Sequence, residues 1–345
     1  MTCQLTFLPV GNADSIVVQT DDSTIIVDLG KLSILEDWLQ EREISKIDRI
    51  YITHAHGDHF PSLIKLVDFI NTWRNHIDIK KVHFPTKALE VAWRKVRSDR
   101  ENNRKLEHTL VRIADWSRRR EVIHSPIFRD GEDYSEGLLK VEALHPSEEF
   151  VGNHLASTAS KLNEISTVLQ ISYGSFSAML LADIEGAGLA ELLSFLKATS
   201  ESAKFIANVA KIPHHGAYPV NGNDLKELLS LINAEIAVLS VGSKNTYGHV
   251  APELFKLLIE LQNNNDQRLG RFICTEVTRT CIYSASDRAK MEKTRGLSTP
   301  KKCAGQITII ADISGQWTLK TETTDHHREV ANFVCAACDG RADLG

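Results

Sequence analysis

His54-Ala55-His56-Gly57-Asp58-His59 places three histidines and an aspartate within six residues. The stretch lies between a hydrophobic run (DRIYIT, 48–53) and a segment of helical period behind Pro61 (SLIKLVDFI, 62–70). A proline near a first helical turn and an apolar run before the loop imply a strand–loop–helix unit. In extended backbone, side chains two residues apart point the same way, so His54 and His56 can share one cation. Gly57 permits the tight turn that lets Asp58 and His59 address a second position. Imidazole with carboxylate suits Zn²⁺, or Mn²⁺ and Fe²⁺, rather than a calcium cage. Whatever the chain folds into must hold this loop rigidly at the end of a strand.

The flanking pattern predicts how. QLTFLPV (4–10), SIVVQT (15–20) and TIIVDL (24–29) are short strands rich in β-branched residues, broken by polar turns. Leu32, Leu35, Trp38 and Leu39 then recur at helical spacing. A short strand at 80–84 precedes a helical stretch at 86–121, with Ala88, Val91, Ala92 and Val96 on one side. The second half repeats the plan. Strands are expected at 138–144, 165–173, 175–182, 205–212 and 235–241, with helices at 187–197, 224–232 and 251–262. CTEVTRTCIYS and GQITIIADISGQWTLK read as further strand-like stretches around a polar linker at 285–304. Strands first, then alternating strands and helices in two similar halves, imply an α/β (α+β) protein built as a four-layer αββα sandwich.

Composition narrows the class. The 345 residues are 42% hydrophobic and 25% charged, which excludes a disordered or collagen-like chain. At this length two domains or one large α/β domain both fit. No apolar run of about 18 residues is present, so no membrane span is expected. The start, MTCQLTFLPVG, reads as a strand rather than a signal peptide. Six scattered cysteines suit a reducing cytoplasm, and a net charge of −5 gives no overall pull toward nucleic acid or membrane. Fourteen histidines exceed what packing in such a chain needs.

The loop resembles the HxHxDH signature of the metallo-β-lactamase fold superfamily. Further segments are similar to the soluble relatives of the ComEC hydrolase domain: VGNADSIVVQ, IIVDLG at 25–30, NEISTVLQISYGSFSAMLLADIE at 163–185, KIPHHG at 211–216 and VLSVGSKNTYGHVAPELFKLL at 238–258. The resemblance implies a hydrolase domain over 1–285 and an extension over 286–345, its strands packing on the domain ahead of a tail. It implies two divalent ions, Zn or Mn, held by His54, His56, Asp58, His59, a bridging Asp183, and His214 or His215, with His214 favoured and the other facing substrate or supporting a ligand. Asp183 ends an apolar strand, where a bare carboxylate needs a partner. Asp28 would orient the loop from beneath. Many members carry a further histidine where this chain has Asn163, so His145, or a water held by Asn163, is the candidate replacement, and one ion rather than two stays open. TYGHVAPE resembles a YGHP motif with Val250 in place of proline. There His249 would protonate a leaving group or contact phosphate, and Lys244 would neutralise it.

Between 91 and 120, ten Lys/Arg (94, 95, 97, 100, 104, 105, 112, 118, 119, 120) face four acidic residues (99, 101, 107, 115), with Trp93 and Trp116 interleaved. Such a stretch, with Arg118, Arg119 and Arg120 at its end, can track a polynucleotide backbone or face a protein partner. Cys335 and Cys338 with His326 and His327 offer a zinc site, although a flexible tail, able to meet a protein partner, fits as well. Together these features point to a metallo-hydrolase cleaving phosphodiesters in a nucleic acid or nucleotide, with Asp58 and His249 as catalytic candidates. A hydrolase of small esters, thioesters, lactones or phosphate esters is one alternative. A binding or effector subunit with a degenerate site is the other.

Overall fold

Cys3, Leu5 and Phe7 alternate along strand β1 (Thr2–Phe7) and are all buried, the period that lays one face of a strand on a core. The computed structural model describes residues 1–73, 76–85, 108–109, 111–113, 115–116, 118, 123–131, 133–155, 161–199, 202–290 and 296–323. β2 (Ile16–Gln19) and β3 (Thr24–Val27) continue the pattern, but β3 is buried at all four positions. Ile25 and Val27 face one way and Ile26 the other, because β3 is covered on both faces.

β5 (Arg49–Tyr51), β7 (Lys81–His83) and β8 (Ile123–Ser125) join β3 in parallel. On the other side, β16 (Ile307–Asp312) pairs antiparallel with β1 and forms a hairpin with β17 (Trp317–Thr321). The eight strands run β17-β16-β1-β2-β3-β5-β7-β8. β4 (Lys46–Ile47) and β6 (Asp78–Ile79) form a small separate pair. The second sheet has β9 (Tyr134–Glu136), β10 (Leu139–His145), β11 (Val168–Tyr173), β12 (Phe176–Leu180), β13 (Val209–Lys211), β14 (Ile236–Leu239) and β15 (Arg271–Cys274), in the order β15-β14-β13-β12-β11-β10-β9.

Three apolar clusters show the layering. One fills the space between the sheets, where Leu5 and Phe7 of β1 meet Phe176 of β12 and Val238 of β14. Burying each such side chain contributes about 1.5–3 kcal/mol. A second lies between the first sheet and helices α1 (Leu32–Glu41) and α2 (Leu63–Trp73). Beyond α3 (Glu148–Leu155), a third joins the second sheet to α4 (Gly186–Ala198), α5 (Gly222–Ile232) and α6 (Pro252–Gln262). This is the αββα arrangement. Among the described residues, no helix is long and apolar enough to cross a membrane.

Residues 274–284 differ from the expected strand. β15 ends at Cys274, and residues 279–282 form a helical turn, α7, ahead of α8 (Ala285–Lys290). The threonines favour strand, but the Thr275 hydroxyl donates to the Val241 carbonyl and accepts from the Val241 amide, which ends the ladder. Of the basic stretch, Ile113 and Trp116 are buried against the outer face of the first sheet and Arg118 is exposed. Arg119 and Arg120 lie outside the described residues, as do His326, His327, Cys335 and Cys338.

Candidate metal centre

The chain leaves β3, β5, β12, β13 and β14 at one rim, and every group of the centre except Asp14, which lies between β1 and β2, follows one of these strands. Asp28 follows β3, the His54–His59 loop follows β5, Asp183 follows β12, His214 and His215 follow β13, and Ser240 follows β14. Strand ends are rigid platforms for loops that carry chemistry.

Asp28 organises the loop from beneath. Its backbone is left-handed (φ 63°), and its carboxylate accepts from the Thr53 amide at 2.7 Å, the Thr53 hydroxyl at 2.8 Å and His59 Nδ1 at 2.6 Å. Thr53 Oγ1 also lies 3.2 Å from His54 Nδ1. With its hydroxyl hydrogen directed to Asp28, it can accept a hydrogen bond from that nitrogen. One buried carboxylate thereby fixes two imidazoles with Nδ1 protonated and Nε2 bare. Gly30 makes room for the loop: a Cβ there would collide with the Asp58 carbonyl and reach 2.6 Å from Ala13 Cβ.

Two donor groups result. Asp14, His59, Asp183 and His215 form one, and all four are buried; His54, His56 and Asp58 form the other. His59 Nε2 lies 3.2 Å from His215 Nε2, while His215 Nδ1 donates to the Ser240 carbonyl at 2.9 Å. His54 Nε2 faces His56 Nδ1 at 3.1 Å. Bare nitrogens aimed at one another are repulsive unless a cation or a proton lies between them, so the residues fit a divalent metal. Asp183 joins the groups: Oδ1 is 3.1 Å from His59 Nε2, and Oδ2 is 3.6 Å from His215 Nε2 and 4.0 Å from His54 Nε2.

The electrostatics agree. Burial opposes charge on Asp183, but His59, His215 and Lys211 outweigh it and hold the carboxyl well below its usual range. Burial likewise opposes charge on Asp58, yet the adjacent His215 and His59 keep it low. Burial, reinforced by His59, pushes His54 well below the ordinary value, leaving it neutral as a ligand must be. His59 goes the other way. Burial disfavours its charge, but Asp183 and Asp28 raise it well above the ordinary value, so a proton takes the cation's place when no ion is bound.

Three of the sequence candidates lie in neither donor group. Of the HHG pair it is His215 that is buried in one of them, while His214, favoured as the ligand, stands at the cleft. Both are left-handed (φ 49°), and the Ser240 carbonyl anchors His215 inward while His214 stays 27% exposed. His145 does not replace the histidine absent at Asn163. It is fully buried with Nδ1 on the Ser166 carbonyl at 2.8 Å and Nε2 3.7 Å from Glu191, and belongs to neither donor group. Lys244 is exposed and does not line the cleft over the centre.

That cleft holds about 250 Å³ and is lined by Asn12, His56, Asp58, Asn163, Asp183, His214, Tyr247 and His249 among others. His249 Nδ1 donates to the His214 carbonyl at 3.1 Å, leaving Nε2 bare, and burial together with His214 and His215 lowers its pKa to about 4. Asn245 shapes this loop, donating to the Gly242 and His249 carbonyls and accepting from the Gly248 and His249 amides. Asn245, Thr53, Ser240, Asp14 and Lys211 were not singled out from sequence. Lys211 had a signal, as a lone charge inside the apolar run FIANVAKI.

Residues 8–155 match the family model described as the metallo-beta-lactamase superfamily. Over 82 residues the chain is 33% identical to ribonuclease Z of Pyrococcus abyssi, a match spanning 24% of this chain and 26% of that enzyme. Among solved structures, a novel metallo hydrolase from the archaeon Ignicoccus hospitalis is 15% identical, with 78% of this chain and 94% of that one covered and a TM-score of 0.42. A metallo-beta-lactamase fold protein of Bacillus subtilis is 12% identical, covering 69% and 86%, with a TM-score of 0.41. The short form of human tRNase Z is 15% identical, covering 68% and 91%, with a TM-score of 0.37. Residues 8–155, which hold the His54–His59 loop and strands of both sheets of the αββα fold, are thus similar to the metallo-beta-lactamase superfamily.

Proposed function

We propose that the protein is a metal-dependent phosphodiesterase acting on a nucleic acid or nucleotide through a dinuclear centre, with zinc or manganese as its ions. The observation that carries this reading is Asp183, which lines the cleft with Oδ1 against His59 of one donor group and Oδ2 between His215 of that group and His54 of the other. Divalent ions there would bring the pKa of bound water toward neutrality and polarise a phosphoryl oxygen.

The chain's own residues position and select. Asp28 and the Ser240 carbonyl hold the imidazoles in register. His249 presents a bare nitrogen to the cleft, placed to take a proton or a hydrogen bond. The side-chain amides of Asn12 and Asn163 make part of the cleft wall neutral. None of the described lining residues is Lys or Arg, so neutralising a substrate phosphate falls to the ions. The 82-residue likeness to ribonuclease Z, the order of the ComEC-like motifs and the basic stretch at 91–120 all support a polynucleotide.

The test is turnover by the purified chain, with Mn²⁺ or Zn²⁺, of single- and double-stranded DNA, RNA, cyclic nucleotides and bis-p-nitrophenyl phosphate. The His54→Ala/Asp58→Ala double variant is expected to lose all activity. No phosphodiester turnover with either metal, or full activity in the double variant, overturns the reading. Charge reversal at Arg118, Arg119 and Arg120 is expected to weaken polynucleotide cleavage and its salt dependence together, while sparing bis-p-nitrophenyl phosphate.

A further inference from the structure

The two donor groups are unequal. The one around His59 has Asp14, His59, His215 and Asp183, and Asp58 of the other group also reaches it, its Oδ2 lying 3.4 Å from His215 Nε2. The other then keeps His54 and His56, with Asp183 Oδ2 4.0 Å from His54 Nε2. Two imidazoles and one carboxylate oxygen leave a fourth position, which a water or one further side chain can fill.

We propose that His214 is a ligand of the ion held by His54 and His56, so that the adjacent His214 and His215 each serve a different ion. This assignment rests on the two-ion reading above. His214 Nε2 lies 3.9 Å from Asp183 Oδ2, the oxygen that His54 Nε2 approaches at 4.0 Å. Ligands on one ion at bond lengths of about 2.0–2.2 Å lie roughly 3.5 Å apart, a few tenths of an ångström less than either approach to that oxygen. The other nitrogen is already committed: His214 Nδ1 is 3.2 Å from Glu185 Oε2, which places the proton on Nδ1 and leaves Nε2 bare. A carboxylate behind a histidine is the recurrent device that orients a metal ligand. Asn163 completes the support, donating to Glu185 Oε1 at 3.2 Å, with its amide nitrogen 3.4 Å from His214 Nε2. Asn163 therefore stands beside the His214 ring and steadies the Glu185 that orients it.

The backbone explains how neighbouring residues reach two ions. His214 (φ 49°, ψ 46°) and His215 (φ 49°, ψ 25°) are successive left-handed residues after Pro213, and the His214 amide is held by the Ala182 carbonyl at 3.0 Å. Their rings splay, with centroids 6.5 Å apart and planes 70° apart. Two consecutive non-glycine residues in that region are costly and persist where the surroundings require them. The partial exposure of His214 on the cleft leaves its side open for an ion to enter.

The test is metal binding by the full chain, read by calorimetric titration with Zn²⁺ and by the visible absorption of the Co²⁺ form. The wild type is expected to take two ions. His214→Ala is expected to take one, with the remaining Co²⁺ band and affinity unchanged, and His215→Ala to lose the other band. Glu185→Gln is expected to keep both ions and to bind one about 10- to 100-fold more weakly. Two ions at wild-type affinity in His214→Ala overturn the assignment alone, as does loss of the same Co²⁺ band in both histidine variants. A wild type that takes a single ion overturns the two-ion reading, and this assignment with it.

Discussion

The Lys211 ammonium, completely buried, donates to the Ala182 carbonyl at 2.8 Å, pairs with Asp14 and lies 3.7 Å from Asp183 Oδ1. Ala182 is left-handed (φ 47°), so this bond pins the bend that aims the next residue, Asp183, at the centre. Burial alone would lower the lysine's pKa; Asp14 and Asp183 reverse that and keep it charged. Removing one partner of a buried pair leaves an uncompensated charge and typically costs about 3–5 kcal/mol. Lys211→Met is expected to lose that much in urea unfolding of the metal-free protein. Asp14→Asn/Lys211→Met should lose less than the sum of the single variants, and strict additivity would show that the pair is not coupled.

Metal removal should be visible as stability. An ion that binds only the folded clusters stabilises by about 2.7 kcal/mol at a hundredfold excess over its Kd. Chelator treatment is expected to lower Tm, and Zn²⁺ or Mn²⁺ to restore it. The same ions should leave the Tm of His54→Ala/Asp58→Ala nearly unmoved.

Gly30→Ala tests the seat of the loop. The added methyl meets backbone as well as side chain, lying 2.8 Å from the Asp14 carbonyl and colliding with that of Asp58, so the segment bearing Asp58 and His59 must move. Overpacking of this kind costs about 1–3 kcal/mol. The expected result is a folded protein with at least tenfold weaker Zn²⁺ binding by titration; unchanged affinity would show that the loop tolerates the shift.

His145 gives a pH signature apart from the metal centre. Burial lowers its pKa to about 3, although the Ser166 carbonyl opposes the shift. At neutral pH the residue is uncharged in both folded and unfolded chains. Below its unfolded pKa of about 6.5 only the unfolded chain takes up the proton, so stability is lost as pH falls from there toward 3, by up to about 1.4 kcal/mol per pH unit. His145→Gln should remove this one-proton slope from the difference between variant and wild-type stability, measured by denaturant unfolding between pH 6.5 and 4.5. Parallel profiles would refute it.

Much of this was legible in the chain. The His54–His59 loop, the apolar runs that became β1 to β3 and the Asp183 strand end carry local periodicities, and each sits at an element boundary as expected. The side of the HHG turn that faces the core was not legible, because His214 and His215 share the same backbone region and only the Ser240 carbonyl separates them. His145 stood as a candidate replacement ligand because Ser166 and Glu191, which hold it elsewhere, come from distant segments. Asp14 and Lys211 are nearly two hundred residues apart in sequence, and a charge pair of that separation leaves no local pattern. The threonines of 275–280 misled for a related reason, since long-range hydrogen bonds overrode their strand preference.

The pairing of β1 with β16 joins Thr6 to Thr308, side chain to side chain, at 3.3 Å. Until residues 307–312 have been made, a growing chain has only half the partners of β1, and one edge of that strand stays open. Contacts spanning some three hundred residues slow folding and leave such an edge exposed to other chains meanwhile. The loop that defines the chemistry is synthesised in the first sixth of the chain, yet the sheet beneath it closes only when nearly all of the chain is available. Truncations short of the hairpin β16–β17 would therefore carry the whole set of donor residues on an unfinished sheet.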